Sequence, residues 1–222
     1  MPEKVIIGNA ELWHGDCREV LPLLPKCDLI LTDPPYGIGA DKAKAHSSIR
    51  DNDKWDRHDW DNATPPAWLF GLMREKAGTL MVWGGNYFSD MLPASSGWLC
   101  WRKPQAESGF SLADIELCWT SMSFAARTKT IPRRDGNEHP TQKPVDLMAW
   151  SLTFANAQTV CDPFMGSGTT GVACAQMGKN FTGIERERKY FDIACERISR
   201  AQAQGQLLPP AQKPAAVQEA LL

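Results

Sequence analysis

Two stretches of this 222-residue chain hold residue types that can do chemistry on a planar amine. The first is Leu29-Ile-Leu-Thr-Asp33-Pro34-Pro35-Tyr36-Gly37, an apolar run that ends in an acid, two prolines and an aromatic ring. Consecutive prolines fix φ and lack N–H donors, so the segment is stiff and presents carbonyl acceptors. A carboxylate beside such carbonyls can accept both hydrogen bonds of an –NH2 group, and an aromatic ring beside them can stack on the base that carries it. The competing reading is a Pro-Pro turn in which Asp33 serves only a nearby backbone N–H.

The second stretch is Thr159-Val-Cys-Asp162-Pro163-Phe164-Met-Gly166-Ser167-Gly168-Thr169-Thr170-Gly171, read as strand, glycine turn and helix. Glycines let a ligand approach the backbone closely, and the helix start offers free N–H groups. Phe181-Thr-Gly-Ile-Glu185 follows, a strand ending in an acid that can take both hydroxyls of a ribose. Gly166, Gly168 and Gly171 match G-x-G-x-x-G, so a nicotinamide oxidoreductase is an alternative. Against it, Asp162 to Met165 intervene between strand and first glycine, where the dinucleotide fingerprint opens at once. An acid there also suits a cationic ligand, a sulfonium with its ammonium group, better than a pyrophosphate. No G-K-[ST] follows, which excludes a P-loop.

Two smaller pieces accompany these. Asp16, in Trp13-His14-Gly15-Asp16-Cys17, can face the amino edge of an adenine or cap the helix that follows. His139-Pro-Thr141-Gln142-Lys143-Pro144 opens another helix and can receive the carboxylate of an amino-acid tail, or be a plain proline-bounded start capped by Thr141.

The elements that must position these residues alternate. Strands are expected at Glu11–His14, Leu29–Thr32, Thr79–Trp83, Trp98–Trp101, Glu116–Thr120, Thr159–Asp162 and Phe181–Ile184. Helices are expected at Cys17–Leu24, Pro65–Lys76, Pro144–Ala155, Thr169–Gln176 and Arg188–Ala201. Such alternation is that of an α/β fold, a mostly parallel sheet with helices on both faces. It reads as a single domain over 1–201, with an Ala/Gln/Pro-rich tail over 202–222. The long charged stretch Gly37–Thr64, with Trp55, His58 and Trp60, is a candidate lid over a base or a plain surface loop.

A net charge of −2 offers no global pull on nucleic acid, so any polyanion must meet a local patch. The clearest is Ala126–Lys143, with Arg127, Lys129, Arg133, Arg134 and Lys143 against Asp135 and Glu138. It suits phosphate contact, with a solvated loop as the alternative. Seven cysteines without a C-x-x-C pair read as reduced thiols. The amino terminus lacks a basic-then-apolar leader, and a cytoplasmic location is expected.

Asp16, Asp33-Pro-Pro-Tyr36, His139-Pro-Thr-Gln-Lys-Pro144, Asp162-Pro-Phe-Met-Gly-Ser-Gly-Thr-Thr170 and Glu185, in this order, resemble the beta-type DNA amino-methyltransferases, which act on adenine N6 or cytosine N4. The resemblance runs from Gly15 to about Ile198. It implies a Rossmann-like methyltransferase fold with circularly permuted motif order, and S-adenosylmethionine as cofactor. It implies catalysis by Asp33, Pro34, Pro35 and Tyr36. Cofactor binding is implied for Asp16, Cys17, Thr141, Gln142, Lys143, Asp162, Pro163, Phe164, Gly166, Ser167, Gly168, Thr169, Thr170 and Glu185. Its target-recognition element falls at 98–138, short for that family. DNA is the implied partner, with a homodimer and a cognate restriction nuclease as further ones. Asp ahead of Pro-Pro-Tyr leans toward adenine N6, with the base flipped from its stack. Cytosine N4 is the alternative. An RNA or protein amide methyltransferase and an inactive DNA-binding module rank below it.

Overall fold

Leu29, Ile30 and Leu31 are all fully buried, as a strand covered on both faces requires. They belong to β3 (Cys27–Thr32), in the middle of a sheet whose other strands among the described residues are β1 (Glu3–Ile7), β2 (Ala10–His14), β4 (Ala77–Trp83), β5 (Trp98–Arg102), β6 (Ile115–Thr120), β7 (Arg127–Thr130), β8 (Thr159–Asp162) and β9 (Asn180–Glu185). The computed structural model describes residues 2–38, 63–104, 113–132 and 142–207. The sheet order is β1-β2-β9-β8-β3-β4-β6-β5-β7. Five of its pairings are parallel; β1–β2, β4–β6 and β6–β5 are antiparallel.

Alternation along the strands divides the core into two. Leu29, Leu31, Met81, Trp83, Leu99 and Trp101 face one cluster, with side chains of α3 (Val145–Leu152), α4 (Thr169–Gln176) and α5 (Arg188–Leu207). Ile30, Leu80, Val82, Trp119 and Ile184 face the other, with α1 (Cys17–Val20) and α2 (Ala67–Lys76). Helices on both faces are thus what the sequence alternation implied. Trp83, Trp101 and Trp119 are core.

Several boundaries differ from expectation for physical reasons. Pro22 has no N–H to continue an α-helix, so the expected Cys17–Leu24 helix splits into α1 and a 3-10 turn at Leu21–Leu23. The expected Pro144–Ala155 helix opens at Val145, with Pro144 in extended geometry as N-cap, and stops at Leu152. α5 runs past the expected Ala201 to Leu207. Two strands, β1 and β7, were not foreseen at all, and each is a sheet edge. No helix among the described residues is long and apolar enough to cross a membrane.

The feature that positions the site lies between β3 and β8, which pair in parallel with Leu29 opposite Val160 and Ile30 opposite Cys161. The chain leaves β3 for β4 on one side and leaves β8 for β9 on the other. Where strand order reverses in this way, the connections splay apart and leave a crevice at the carboxyl ends.

Candidate active site

The crevice is a cavity of about 350 Å³. Asp33 and Pro35 stand on one wall, and Gly166, Ser167, Thr169, Thr170 and Glu185 on another. Asp16, Cys17, Gln142, Lys143, Asp162, Pro163 and Phe164 also line it, so the two stretches singled out in sequence share one space. Pro34 is buried. Gly168 faces α5, where a Cβ would come within 2.9 Å of Ala194 Cβ. Thr141, Arg133, Arg134, His139 and most of the Gly37–Thr64 stretch lie outside the described residues.

Asp162 ends β8 and ties the crevice together. Its Oδ1 accepts from the Thr32 hydroxyl of β3 at 2.7 Å and from the Phe164 N–H at 3.1 Å. Its Oδ2 accepts from the Thr170 hydroxyl of α4 at 2.7 Å. Burial pushes this carboxyl up to about 6 against those hydrogen bonds. Glu185, at the end of β9, accepts from the Gly166 N–H at 2.9 Å and the Glu187 N–H at 2.7 Å. Burial raises it to about 7. Gly166 has φ +52° and nothing within 4 Å of where a Cβ would stand, so the turn opens onto the cavity. From α5, Arg197 holds the turn by donating to the Ser167 carbonyl at 2.7 Å and its hydroxyl at 2.9 Å.

Asp16 caps α1, accepting from the Arg18 N–H at 2.9 Å, and is held below the usual carboxylate range by the Arg18 side chain. The cap reading therefore holds, on a residue that also lines the cavity. Burial pushes the Cys17 thiol up to about 12; it is an inert neutral group.

Around Asp33 the chemistry changes. Its Oδ1 accepts from the Tyr36 hydroxyl at 2.5 Å, and Lys143 Nζ donates to Oδ2 at 2.6 Å and to the Tyr36 oxygen at 3.1 Å. Lys143 thus touches the Asp-Pro-Pro-Tyr corner itself, although its motif suggested only a cofactor tail. Burial raises the Asp33 carboxyl, and Lys143 and Tyr36 pull it back without cancelling the rise. The Tyr36 ring stacks on Tyr87 at 4.7 Å between centroids, with 14° between planes, and meets the Phe88 edge at 6.1 Å. Gly84, at φ +71°, leaves room for that ring: a Cβ there would overlap Tyr36. One face of Tyr36 is thus covered by a ring that is itself 42% exposed.

Of the expected DNA contacts, Arg127 and Lys129 form the exposed strand β7, with Lys129 Nζ 5.9 Å from the Trp150 ring. Four strand spacings separate β7 from β3, roughly 19 Å at about 4.8 Å each. Tyr87 and Arg197 were not found by sequence reasoning. Each acts through a side chain brought in from a distant segment and stands in no local pattern.

The sequence profile of the DNA methylase family, the N6/N4 methylases, matches residues 73–196. The type II methyltransferase M2.LlaDCHI of Lactococcus lactis subsp. cremoris is 37% identical over 89% of this chain and 92% of its own length. The type II methyltransferase M.HinfI of Haemophilus influenzae is 26% identical over 84% of this chain and 67% of its own. Among solved structures, the M1.HpyAVI–SAM complex superposes with a TM-score of 0.60 at 22% identity, covering 85% of this chain and 98% of that one. The cytosine-N4-specific PvuII DNA methyltransferase superposes with a TM-score of 0.57 at 14% identity, covering 89% and 93%. Matched by family profile over more than half its length, and by a relative of more than a third identity over nearly all of it, the chain belongs to the N6/N4 DNA methylase family and is an S-adenosylmethionine-dependent DNA methyltransferase.

Proposed function

We propose that the enzyme methylates the N6 amine of a flipped adenine, with Asp33 as the acceptor that prepares the amine. The observation that carries this is the shared cavity: Asp33 and Pro35 line the same space as Gly166 and Glu185, and the Thr32–Asp162 hydrogen bond joins the strands that lead to it. An exocyclic amine is a poor nucleophile because its lone pair is delocalised into the ring. Asp33 and the Pro34 carbonyl accept its two N–H bonds and draw the nitrogen toward tetrahedral geometry. Positioning of the lone pair then supplies much of the rate, and Asp33 stabilises the positive charge as it develops on nitrogen. The excess proton leaves through Asp33 to solvent.

The cavity residues fit the cofactor's chemistry. The open Gly166 admits a ligand against the backbone, Glu185 offers a carboxylate to ribose hydroxyls, and the uncompensated acids suit a cation. Gln142 and Ser167, joined at 3.3 Å, stand where a polar tail would end. When bound, the sulfonium supplies an electrophilic methyl group.

Phosphates run along the β7 edge on Arg127 and Lys129 in this proposal; Arg133 and Arg134, outside the described residues, are further candidates from sequence. Because β5, β6 and β7 are sheet strands, target recognition within 98–138 falls to the segments that connect them. A cytoplasmic enzyme working with a restriction nuclease of the same specificity, as a homodimer, completes the reading; the relatives called type II support the nuclease. Cytosine N4 is the second reading, favoured by the fold's likeness to the PvuII enzyme. Methylating defined DNA with labelled cofactor and digesting it to nucleosides decides between them. Label in N6-methyl-2′-deoxyadenosine is expected, and label only in N4-methyl-2′-deoxycytidine overturns the adenine proposal.

A further inference from the structure

Glu116 lies outside every motif that pointed to the site, on strand β6, yet its carboxylate reaches the catalytic corner. Lys143 Nζ is 2.6 Å from Asp33 Oδ2 and 3.0 Å from Glu116 Oε2. Glu116 Oε1 is in turn 2.9 Å from Nζ of Lys103, the residue after β5. Side-chain exposure is 5% for Lys143, 8% for Lys103, 17% for Glu116 and 21% for Asp33. Acid and ammonium therefore alternate along one chain, Asp33–Lys143–Glu116–Lys103, whose charges balance. Of the four, Asp33 and Lys143 line the cavity.

In so dry a setting a charge interacts strongly with its neighbours, and removing one redistributes the rest. A lysine committed to Asp33 alone would draw that carboxylate's electron density to itself. It would leave the carboxylate a poorer acceptor for an amine and a weaker counter-charge for the cation formed in the transition state. A second carboxylate on the far side of Lys143 divides the lysine's attraction. We propose that Glu116 is a positioning residue for methyl transfer: by sharing Lys143 with Asp33, it sets the orientation and basicity of the carboxylate that receives the amine. This assignment rests on Asp33 being that receiver. Charged or titratable groups facing Asp33 are Lys143, Tyr36, Glu116, Cys118 and Asp162; those facing Glu116 are Lys103, Lys143, Asp33 and Tyr36.

The test uses Glu116→Gln and Lys103→Met in single turnovers, with DNA and cofactor both saturating, across pH 5 to 9. Saturation keeps the titration of cofactor-binding acids out of the profile. Glu116→Gln is expected to lower the rate at pH 7 about tenfold or more, by ground rules for removing one of two partners of a buried ion. It moves the acidic limb down by roughly half to one pH unit, because a negative neighbour of Asp33 is gone. Lys103→Met moves that limb up, because a positive neighbour is gone. KM for DNA and the cofactor-induced rise in melting temperature stay close to wild type in both. Limbs that do not move, or that move in the same direction in both variants, overturn the assignment, as does a loss confined to KM. If Glu116→Gln does not fold, the upward shift in Lys103→Met alone supports the assignment and its absence overturns it. Asp33→Asn separates the two levels. If it retains turnover, the reading of Asp33 falls and this inference with it. If it is inactive while Glu116→Gln behaves as wild type, only the role of Glu116 falls.

Discussion

The two walls of the cavity treat their acids in opposite ways. On the glycine-turn wall, Asp162 and Glu185 are bonded by hydroxyls and backbone N–H groups, no cation among the described residues is paired with them, and burial lifts them to about 6 and about 7. On the proline wall, Asp33 and Glu116 hold Lys143 between them, and Glu116, with Lys103 as a second cation, is brought down to about 2 despite its burial. The contrast matches what each wall receives in the function proposed above. S-adenosylmethionine arrives with its positive charge in place, and acids lacking a counter-ion gain most from it. A base amine arrives neutral and becomes positive only during transfer, so its acid needs resident partners that fix it beforehand.

The sharpest break of this comparison is Asp33→Asn, which keeps shape and removes charge. Methyl transfer is expected to fall at least about a thousandfold while cofactor affinity changes little, read by single turnover and by calorimetry. Turnover near wild type would put both walls on the same footing. Next is Gly84→Ala, which forces Tyr36 off its stack and strains a left-handed residue. Roughly tenfold or greater loss of kcat is expected with the melting temperature lowered, since an aromatic pair is worth about 1 kcal/mol and the position adds strain of similar size. Unchanged kcat would show that the place of the Tyr36 ring is immaterial.

The glycine-turn wall is sharpened by pH. Glu185 binds a proton up to about pH 7 in the free protein, and a cationic ligand favours its ionised form. Cofactor binding should therefore release a proton. Affinity should rise up to about tenfold per pH unit below 7 and level off above it. Glu185→Gln should flatten that rise, and a flat wild-type profile would refute the idea. The same raised values act on stability with the opposite slope: the free protein binds protons more tightly folded than unfolded. It should gain stability as pH falls from about 7 toward 5, until other carboxylates titrate, as thermal melts would show. The smallest effect is expected at the edge strand. Arg127→Ala with Lys129→Ala should weaken DNA binding several-fold at moderate salt and reduce the slope of log K against log salt by about 2. An unchanged slope would remove β7 from the DNA path.

The seven strands legible in sequence are the seven central ones, β2 to β5 in the order of the sheet. They are legible because burial on one or both faces imposes a hydrophobic pattern, as in Leu29-Ile-Leu. β1 and β7 pair on one side only. Arg127-Thr-Lys-Thr is exposed throughout, and charged, solvent-facing residues on an edge resemble a loop in sequence while discouraging pairing with another chain. The site divides the same way. Asp33-Pro-Pro-Tyr36 and the glycine turn are local motifs whose geometry follows from prolines and glycines near one another in sequence. The grip of Lys143 on Asp33, 110 residues away, and of Glu116 on Lys143 belongs to no local pattern; topology alone creates it.

The hydrogen bond from Thr32 to Asp162 spans adjacent strands of one sheet, not two bodies joined by a linker. In the proposed function, donor and acceptor of the methyl group are therefore mounted on a common backing, at a separation set by peptide geometry. No swing of one half against the other is required to bring them within reach. With target recognition in the outer segments, as proposed, edits there should change which DNA is chosen without disturbing that spacing, as interchangeable jaws fit one fixed vice.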